Sequence, residues 1–179
     1  MVLRSRFLAH VARAETEAAA RAVIAEARAA HHDARHHCSA FVLGADAMLR
    51  RSNDDGEPSG TAGRPMLDVL GGRGLSDVVV VVTRWFGGTL LGTGGLTRAY
   101  GDATAAALEV AGVRERVRWH EVAIRATHAE AGQLENRLRQ LGRVTGVEYG
   151  TEVCFTVAVR ALEDLDRLDY EPLGTVWVG

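Results

Sequence analysis

The 179-residue chain contains no lysine, and all 21 of its basic residues are arginine. That absence excludes a Schiff-base lysine, a lysine general base and the phosphate-gripping lysine of a Walker loop. No apolar run approaches the ~18 residues of a membrane-spanning helix, so no span is expected. The start "MVLRSRFLAH" is not followed by the apolar stretch of a secretion signal. Only two cysteines occur, Cys38 and Cys154, far apart and outside any CxxC pattern. Together these features read as a cytoplasmic protein with reduced thiols. Strong charge is missing as well: the net charge is −2 and the isoelectric point is near 6.4, which argues against nonspecific wrapping of nucleic acid or adhesion to an anionic membrane. Any anion site must therefore be local.

What is present is a 47% hydrophobic composition, enough for one large domain or two small ones to bury a core. "RSRFLAHVARA" reads as an opening strand. "ETEAAARAVIAEARAAHHD" follows as a helix with Val23, Ile24 and Ala27 on one face. "HHCSAFVLGADAMLRRS" reads as one strand or as a hairpin turning at Gly44-Ala45-Asp46. "PMLDVLGG" predicts a short helix with Pro65 in its first turn and Gly71-Gly72 at its end. In "LSDVVVVVTRWF" five consecutive valines predict a central strand buried on both faces. The helix "LTRAYGDATAAALEVAG" would bury Leu96, Tyr100, Ala103, Ala107 and Val110 before Gly112 closes it.

Beyond the charged stretch "VRERVR" the pattern changes to strand "WHEVAIRAT", helix "HAEAGQLENRLRQLG", strands "RVTGVEYG" and "TEVCFTVAVR", short helix "ALEDLDRL" and strand "PLGTVWV". That βαββαβ order is ferredoxin-like. The expected architecture is α+β, with an N-terminal domain at residues 1–114 and a second domain at 115–179. Residues 1–116 hold 14 arginines and 13 acidic residues, a balance of +1, whereas residues 117–179 hold 7 and 10, a balance of −3.

Chemistry is concentrated in two glycine-rich loops, because 11 of the 20 glycines fall between Gly56 and Gly95. In "RSNDDGEPSGTAGRPM" the Asp54-Asp55-Gly56 segment has the composition of a turn. Asp54, Asp55 and Glu57 could alternatively hold Mg²⁺ or Ca²⁺, but their spacing fails the D-x-D-x-D-G calcium pattern, and no metal or other cofactor is assigned. Ser59 and Thr61 sit where hydroxyls can cap the following helix. Free N–H groups near Gly60 and Gly63, with Arg64, could instead receive an anion. The second loop, "GGTLLGTGG", carries Gly87, Gly88, Gly92, Gly94 and Gly95 between a buried strand and a helix, a geometry that can aim amides at a phosphate or carboxylate. It is no dinucleotide fingerprint, because Thr97 occupies the third glycine position. Between the loops, Arg84 beside Trp85 and Phe86 offers a planar donor fork against aromatic surface, or else balances Asp54 or Asp55 within an aromatic core. In "HHDARHHC", His36 and His37 are secondary candidates whose role reads as structural. His32 and His36 have zinc-like spacing only on a continuous helix, which this segment is not expected to be.

"HHCSAF", the "DDGEPSGTAG" loop and "VVVVVTRWFGGTLLGTGGLTRAYGDAT" together resemble the IMPACT/YigZ family over residues 1 to about 112. The resemblance implies an N-terminal βαβ domain similar to ribosomal-protein and GHMP-kinase-like domains. A ferredoxin-like domain similar to the last domain of elongation factor G would follow. It also implies a link to translation, since eukaryotic members resemble regulators that compete for the activator of an initiation-factor kinase.

Two main functions remain open at this level. One is a non-catalytic binding protein that meets a ribosome, RNA or protein factor through the two loops, with Arg64, Arg84 and Arg98 as donors. The other is an enzyme on a small phosphorylated or carboxylated substrate, using Asp54, Asp55 or Glu57 beside the amides of Gly92–Gly95. No catalytic residue is assigned, because the sequence contains no convincing Ser/His/Asp or Cys/His set. A third reading makes the loops a scaffold only. Nothing in the sequence specifies an oligomeric state.

Overall fold

The computed structural model describes residues 4–179, and the chain divides between Val113 and Arg114 into two compact units. The first unit runs β1 (Arg6–Arg13), α1 (Glu17–Ala30), β2 (His36–Leu43), β3 (Leu49–Asn53), α2 (Gly63–Gly72), β4 (Val78–Trp85) and α3 (Gly92–Ala111). Its sheet has the order β1-β4-β2-β3 and is antiparallel throughout. The valine run lies inside it, as expected. β-branched side chains suit the pleated surface, and their alternation sends Val79 and Val81 toward α1 while Val78, Val80 and Val82 meet the α2/α3 side. Helix α1 starts where Thr16 Oγ1 accepts the Ala19 N–H at 3.1 Å, and packs Ala20, Val23, Ile24 and Ala27 on its face of the sheet. Residues 36–53 form a hairpin, not a single strand.

Helix α3 departs from the sequence expectation at its start and in its buried stripe, while Gly112 closes it as expected. It begins at Gly92, a turn before the first apolar residue, because an exposed first turn needs no apolar side chain. Its buried stripe advances every four residues through Leu96, Tyr100, Thr104 and Leu108, leaving Val110 90% exposed. The buried Thr104 hydroxyl is satisfied by donating to the Tyr100 carbonyl at 2.9 Å.

The second unit runs β5 (Val117–Ala126), α4 (Ala131–Leu141), β6 (Gly142–Tyr149), β7 (Val153–Val159), a 3₁₀ turn (Leu162–Leu165) and β8 (Glu171–Val178). Its sheet order β6-β7-β5-β8 places the first and third strands at the centre, the ferredoxin-like arrangement. Val122, Ile124, Phe155, Val157 and Leu138 form its core. The second helix, expected over 161–168, is reduced to that 3₁₀ turn, in which only Leu165 is buried. Asp164 and Asp166 compete poorly as helix formers, and one apolar anchor cannot hold a longer helix down. No helix among the described residues is long and apolar enough to cross a membrane.

Candidate functional site

The loop between β3 and α2 is shaped by its own backbone chemistry. Asn53 Oδ1 accepts the Asp55 N–H at 2.7 Å, and the Glu57 N–H donates to the Asp54 carbonyl at 2.9 Å. Asp55 and Gly56 at the centre of this turn have φ of 44° and 84°, a left-handed pair that Asp and Gly tolerate best. The turn then directs three carboxylates inward, each to a different task.

Asp54 supplies the cap of α2. Its Oδ1 accepts the N–H groups of Ala62 (3.1 Å) and Gly63 (2.8 Å), and its Oδ2 accepts that of Gly60 (2.8 Å). Burial by itself would raise its pKa, but the N–H bonds from Gly60, Gly63 and Ala62 outweigh it and hold the carboxyl below the ordinary aspartate value. The cap expected from Ser59 or Thr61 is therefore displaced. Thr61 is buried and its hydroxyl donates to the Pro58 carbonyl at 2.6 Å, while Ser59 is exposed. A carboxylate six to nine residues upstream outcompetes both hydroxyls because it carries full charge to the positive helix end.

Asp55 ties the loop to α1 and β2: Oδ1 accepts from Arg28 at 2.5 Å, and Oδ2 accepts the His37 N–H at 2.6 Å. Glu57 enters the interior. Its Oε1 accepts from Arg84 Nη1 at 2.6 Å and from the Tyr100 hydroxyl at 2.7 Å, and the Glu57 and Arg84 side chains are only 4% and 5% exposed. Arg84 thus balances Glu57, not Asp54 or Asp55. Its Nη2 donates to Ser5 Oγ at 3.3 Å, its guanidinium lies 5.5 Å from the Phe7 ring and 5.6 Å from that of Phe86, and its buried Nε has no partner among the described residues. Glu57 belongs to the first loop, Arg84 to the root of the second, and Tyr100 to α3. One buried ion pair and one hydroxyl therefore join the two loops at their base.

Tyr100 and Ser5 are the members of this cluster that sequence reasoning missed. Tyr100 fits the apolar stripe of α3, so periodicity accounted for it as core, and nothing in its spacing reveals the hydroxyl's partner. Burial first, then the neighbouring Cys38 and Glu57, raises the Tyr100 pKa far beyond the ordinary phenol range, so the hydroxyl stays protonated and donating. Cys38 donates its thiol to the Asp54 carbonyl at 3.0 Å. Burial pushes this thiol up to about 12; the Tyr100 hydroxyl opposes the shift, and the carboxylates of Glu57, Asp55 and Asp54 add to it. It is an inert thiol at neutral pH.

The histidines divide by strand alternation. His36 lies on the Cys38 side, with Nδ1 2.8 Å from the Asp55 carbonyl; since a carbonyl only accepts, that nitrogen carries a proton. His37 faces the other way, with Nε2 3.0 Å from the His31 carbonyl. Helix α1 ends at Ala30, so His32 and His36 share no helix. No group of three or more His, Cys, Asp or Glu side chains among the described residues is placed to hold a metal ion.

In the second loop, the Gly87 N–H donates to Ser5 Oγ at 3.2 Å, and a Cβ on Gly87 would lie 2.1 Å from the Arg4 carbonyl carbon. Only glycine permits that approach. Trp85 turns to the opposite side from Arg84, where its Nε1–H donates to Asp33 at 2.8 Å and Arg6 lies 4.5 Å above its ring. Phe86 is 41% exposed, and Gly88 is exposed beside it. Gly92 and Gly94 are exposed and Gly95 half-buried in the first turn of α3, which holds no acidic residue. Arg98 is exposed with no partner among the described residues, whereas Arg64 pairs with Asp68 at 2.9 Å on the outer side of α2.

Comparison with known proteins places this geometry among relatives. The family model of the Impact N-terminal domain matches residues 3–108. The IMPACT family member YvyE of Bacillus subtilis is 45% identical over 140 residues, a stretch covering 78% of this chain and 64% of YvyE, so the chain spans less than two thirds of that relative. The IMPACT family member YigZ of Escherichia coli is 39% identical over 163 residues, covering 89% of this chain and 80% of YigZ. A crystal structure described as that of a hypothetical protein superposes with a TM-score of 0.66 at 36% identity, covering 97% of this chain and 90% of the other.

Proposed function

This chain belongs to the IMPACT family, and we propose that it is a non-catalytic, cytoplasmic binding protein linked to translation, which engages the ribosome or its RNA through the outer side of the two joined loops. The observation that carries this reading is the direction of charge. All three carboxylates of the first loop are consumed inward, by the start of α2, by Arg28 and His37, and by Arg84 and Tyr100. What faces outward is donor-rich: the first turn of α3, with Gly92 and Gly94 exposed and no acid beside it, and the guanidinium of Arg98. A surface of amides and arginine on which the first loop's acids turn inward suits phosphate, although the exposed Asp102 lies one helical turn beyond Arg98. The loop carboxylates leave no placed general acid or base there. Arg84, though buried, serves the same face by fastening the loops that form it.

Co-sedimentation with ribosomes over a salt series tests the proposal on the intact chain. Binding should fall steeply as salt rises, and Arg98→Ala should weaken it and reduce the logarithmic salt slope by about one. Absence of binding at low salt, or binding indifferent to both salt and Arg98→Ala, would overturn it.

A further inference from the structure

On the α1 side of the first sheet, a cleft of about 250 Å³ opens between that helix and strands β1 and β4. Strand alternation decides which residues reach it. Leu8 and Thr83 are paired across β1 and β4, on the face that also carries Val79 and Val81 and is covered by α1. The helix supplies Val23, Ala27 and Ala30 to the opposite wall. One end is formed by His31, whose ring meets that of Trp85 edge-on at 5.4 Å and whose carbonyl lies 3.0 Å from His37 Nε2. Trp85 is itself fixed, because its Nε1–H donates to Asp33 at 2.8 Å. The walls are therefore set by contacts within the protein, which lowers the ordering cost of an occupant.

Two polar groups in this largely apolar lining have no partner. Thr83 is only 2% exposed, yet its hydroxyl makes no hydrogen bond among the described residues. Buried hydroxyls are nearly always bonded, so this one is open to a group that enters the cleft. Glu26, on the exposed side of the lining, makes no hydrogen bond or ion pair among the described residues. Its neighbours one helical turn away, Ala22, Val23, Ala29 and Ala30, are all uncharged. No arginine lines the cleft. Arg6, on the same face of β1 as Leu8, lies 4.5 Å above the Trp85 ring, and Arg28 of α1 pairs with Asp55 at 2.5 Å. His10 and His31 add imidazole nitrogens to the lining and no fixed charge.

We propose that this cleft is a binding site for a small amphipathic cation: an amine that pairs with Glu26, an apolar body held between α1 and β1, and a hydroxyl or carbonyl that bonds the Thr83 hydroxyl. The volume lies just below the roughly 300–1,000 Å³ of sites for drug-sized molecules, which suits a ligand of about ten non-hydrogen atoms. Apolar walls with a few placed polar groups divide the work in the usual way. Contact with Leu8, Val23, Ala27 and Ala30 supplies affinity, Glu26 selects the sign of the charge, and Thr83 selects the far end. A carboxylate or phosphate in the same place would meet Glu26 with no arginine to offset it. The Glu57–Arg84 pair lies on the other face of this sheet, so the site does not depend on the role proposed for the loops.

The test uses the full chain at low salt and about pH 8, where an alkyl amine is charged and free phenols and imidazoles are not. Tyramine, an amine joined to a phenol through an apolar body, is the probe. Phenethylamine lacks its hydroxyl, para-ethylphenol lacks its amine, and para-hydroxyphenylpropionate carries a carboxylate instead. Binding is followed by backbone amide chemical shifts. Tyramine should bind with a Kd of about 1 mM or tighter, shift the amides of Leu8, Ala27 and Thr83, and bind at least about tenfold more tightly than the ethylphenol and the propionate. Glu26→Gln should erase that preference while melting like the parent, since Glu26 is exposed. Thr83→Val, which keeps the β-branched shape, should make tyramine and phenethylamine bind alike. The proposal is overturned if tyramine binds more weakly than about 1 mM, if the ethylphenol or the propionate comes within about tenfold of it, if Glu26→Gln leaves its affinity unchanged, or if the shifts lie away from the cleft. A Thr83→Val variant that still prefers tyramine to phenethylamine would overturn the assignment of the hydroxyl.

Discussion

Replacing Glu57 by glutamine is the sharpest test of how the two loops are joined. The substitution keeps the shape of the side chain and an oxygen for the Tyr100 hydroxyl, but removes the charge that faces Arg84 at 2.6 Å. Both side chains are about 95% buried, so the guanidinium left behind has almost no water to turn to. Breaking a buried pair from one side costs about 3–5 kcal/mol, whereas replacing both partners by neutral groups of similar size is often nearly neutral. Glu57→Gln and Arg84→Met should therefore each destabilise the first unit by about 3–5 kcal/mol, and the double variant should be more stable than additivity predicts by at least about 3 kcal/mol. Urea unfolding followed by Trp85 fluorescence, in a background carrying Trp119→Phe and Trp177→Phe, reports the first unit alone. If Glu57→Gln costs less than about 1 kcal/mol, or if the two substitutions add, the ion pair does not join the loops and the reasoning fails.

Two further outcomes follow from the same cluster. The Asp54 carboxyl is held below its ordinary value by three N–H groups, so the stability it confers is fully present above the unfolded value of about 3.9 and is lost as pH falls through the folded one. Asp54→Asn should consequently cost about 0.5–2 kcal/mol at neutral pH and flatten the acid side of the stability curve, which denaturant melts between about pH 2 and 6 would reveal. At about pH 8 a disulfide-exchange reagent should label Cys154, which is half-buried, and spare Cys38 until the protein unfolds, because burial and the nearby carboxylates hold the Cys38 thiol protonated. Peptide mapping after brief labelling checks this, and rapid modification of native Cys38 would contradict it.

The candidate site was legible in its residues more than in their partners. The two glycine loops stood out because glycine, aspartate and proline cluster there without apolar spacing, and the Asp54-Asp55-Gly56 turn follows from local dihedral preference. The ion pair of Arg84 was open between an outward fork and an internal balance, and the internal partner is Glu57, 27 residues away in sequence. Ser59 and Thr61 looked like caps by proximity, yet Asp54 reaches the same amides because the turn folds it back. In "HHDARHHC", alternation alone separated His36 and Cys38 from His37.

Elements of the fold whose signal is periodic or compositional were readable from the chain itself: the central valine strand, the amphipathic α1, the hairpin's turn residues and the βαββαβ order of the second unit. Each depends on contacts within a few residues or on which face turns to the core, and amino-acid pattern encodes both. The start of α3 four residues early and the shrinking of the last helix to one 3₁₀ turn depend on how far the core extends beneath them, which no local pattern records. The same holds for the inward direction of the three carboxylates and for the dual use of Tyr100 as core and donor. Those features pair groups that are distant along the chain, and burial makes each pairing obligatory only once the sheet has brought its members together.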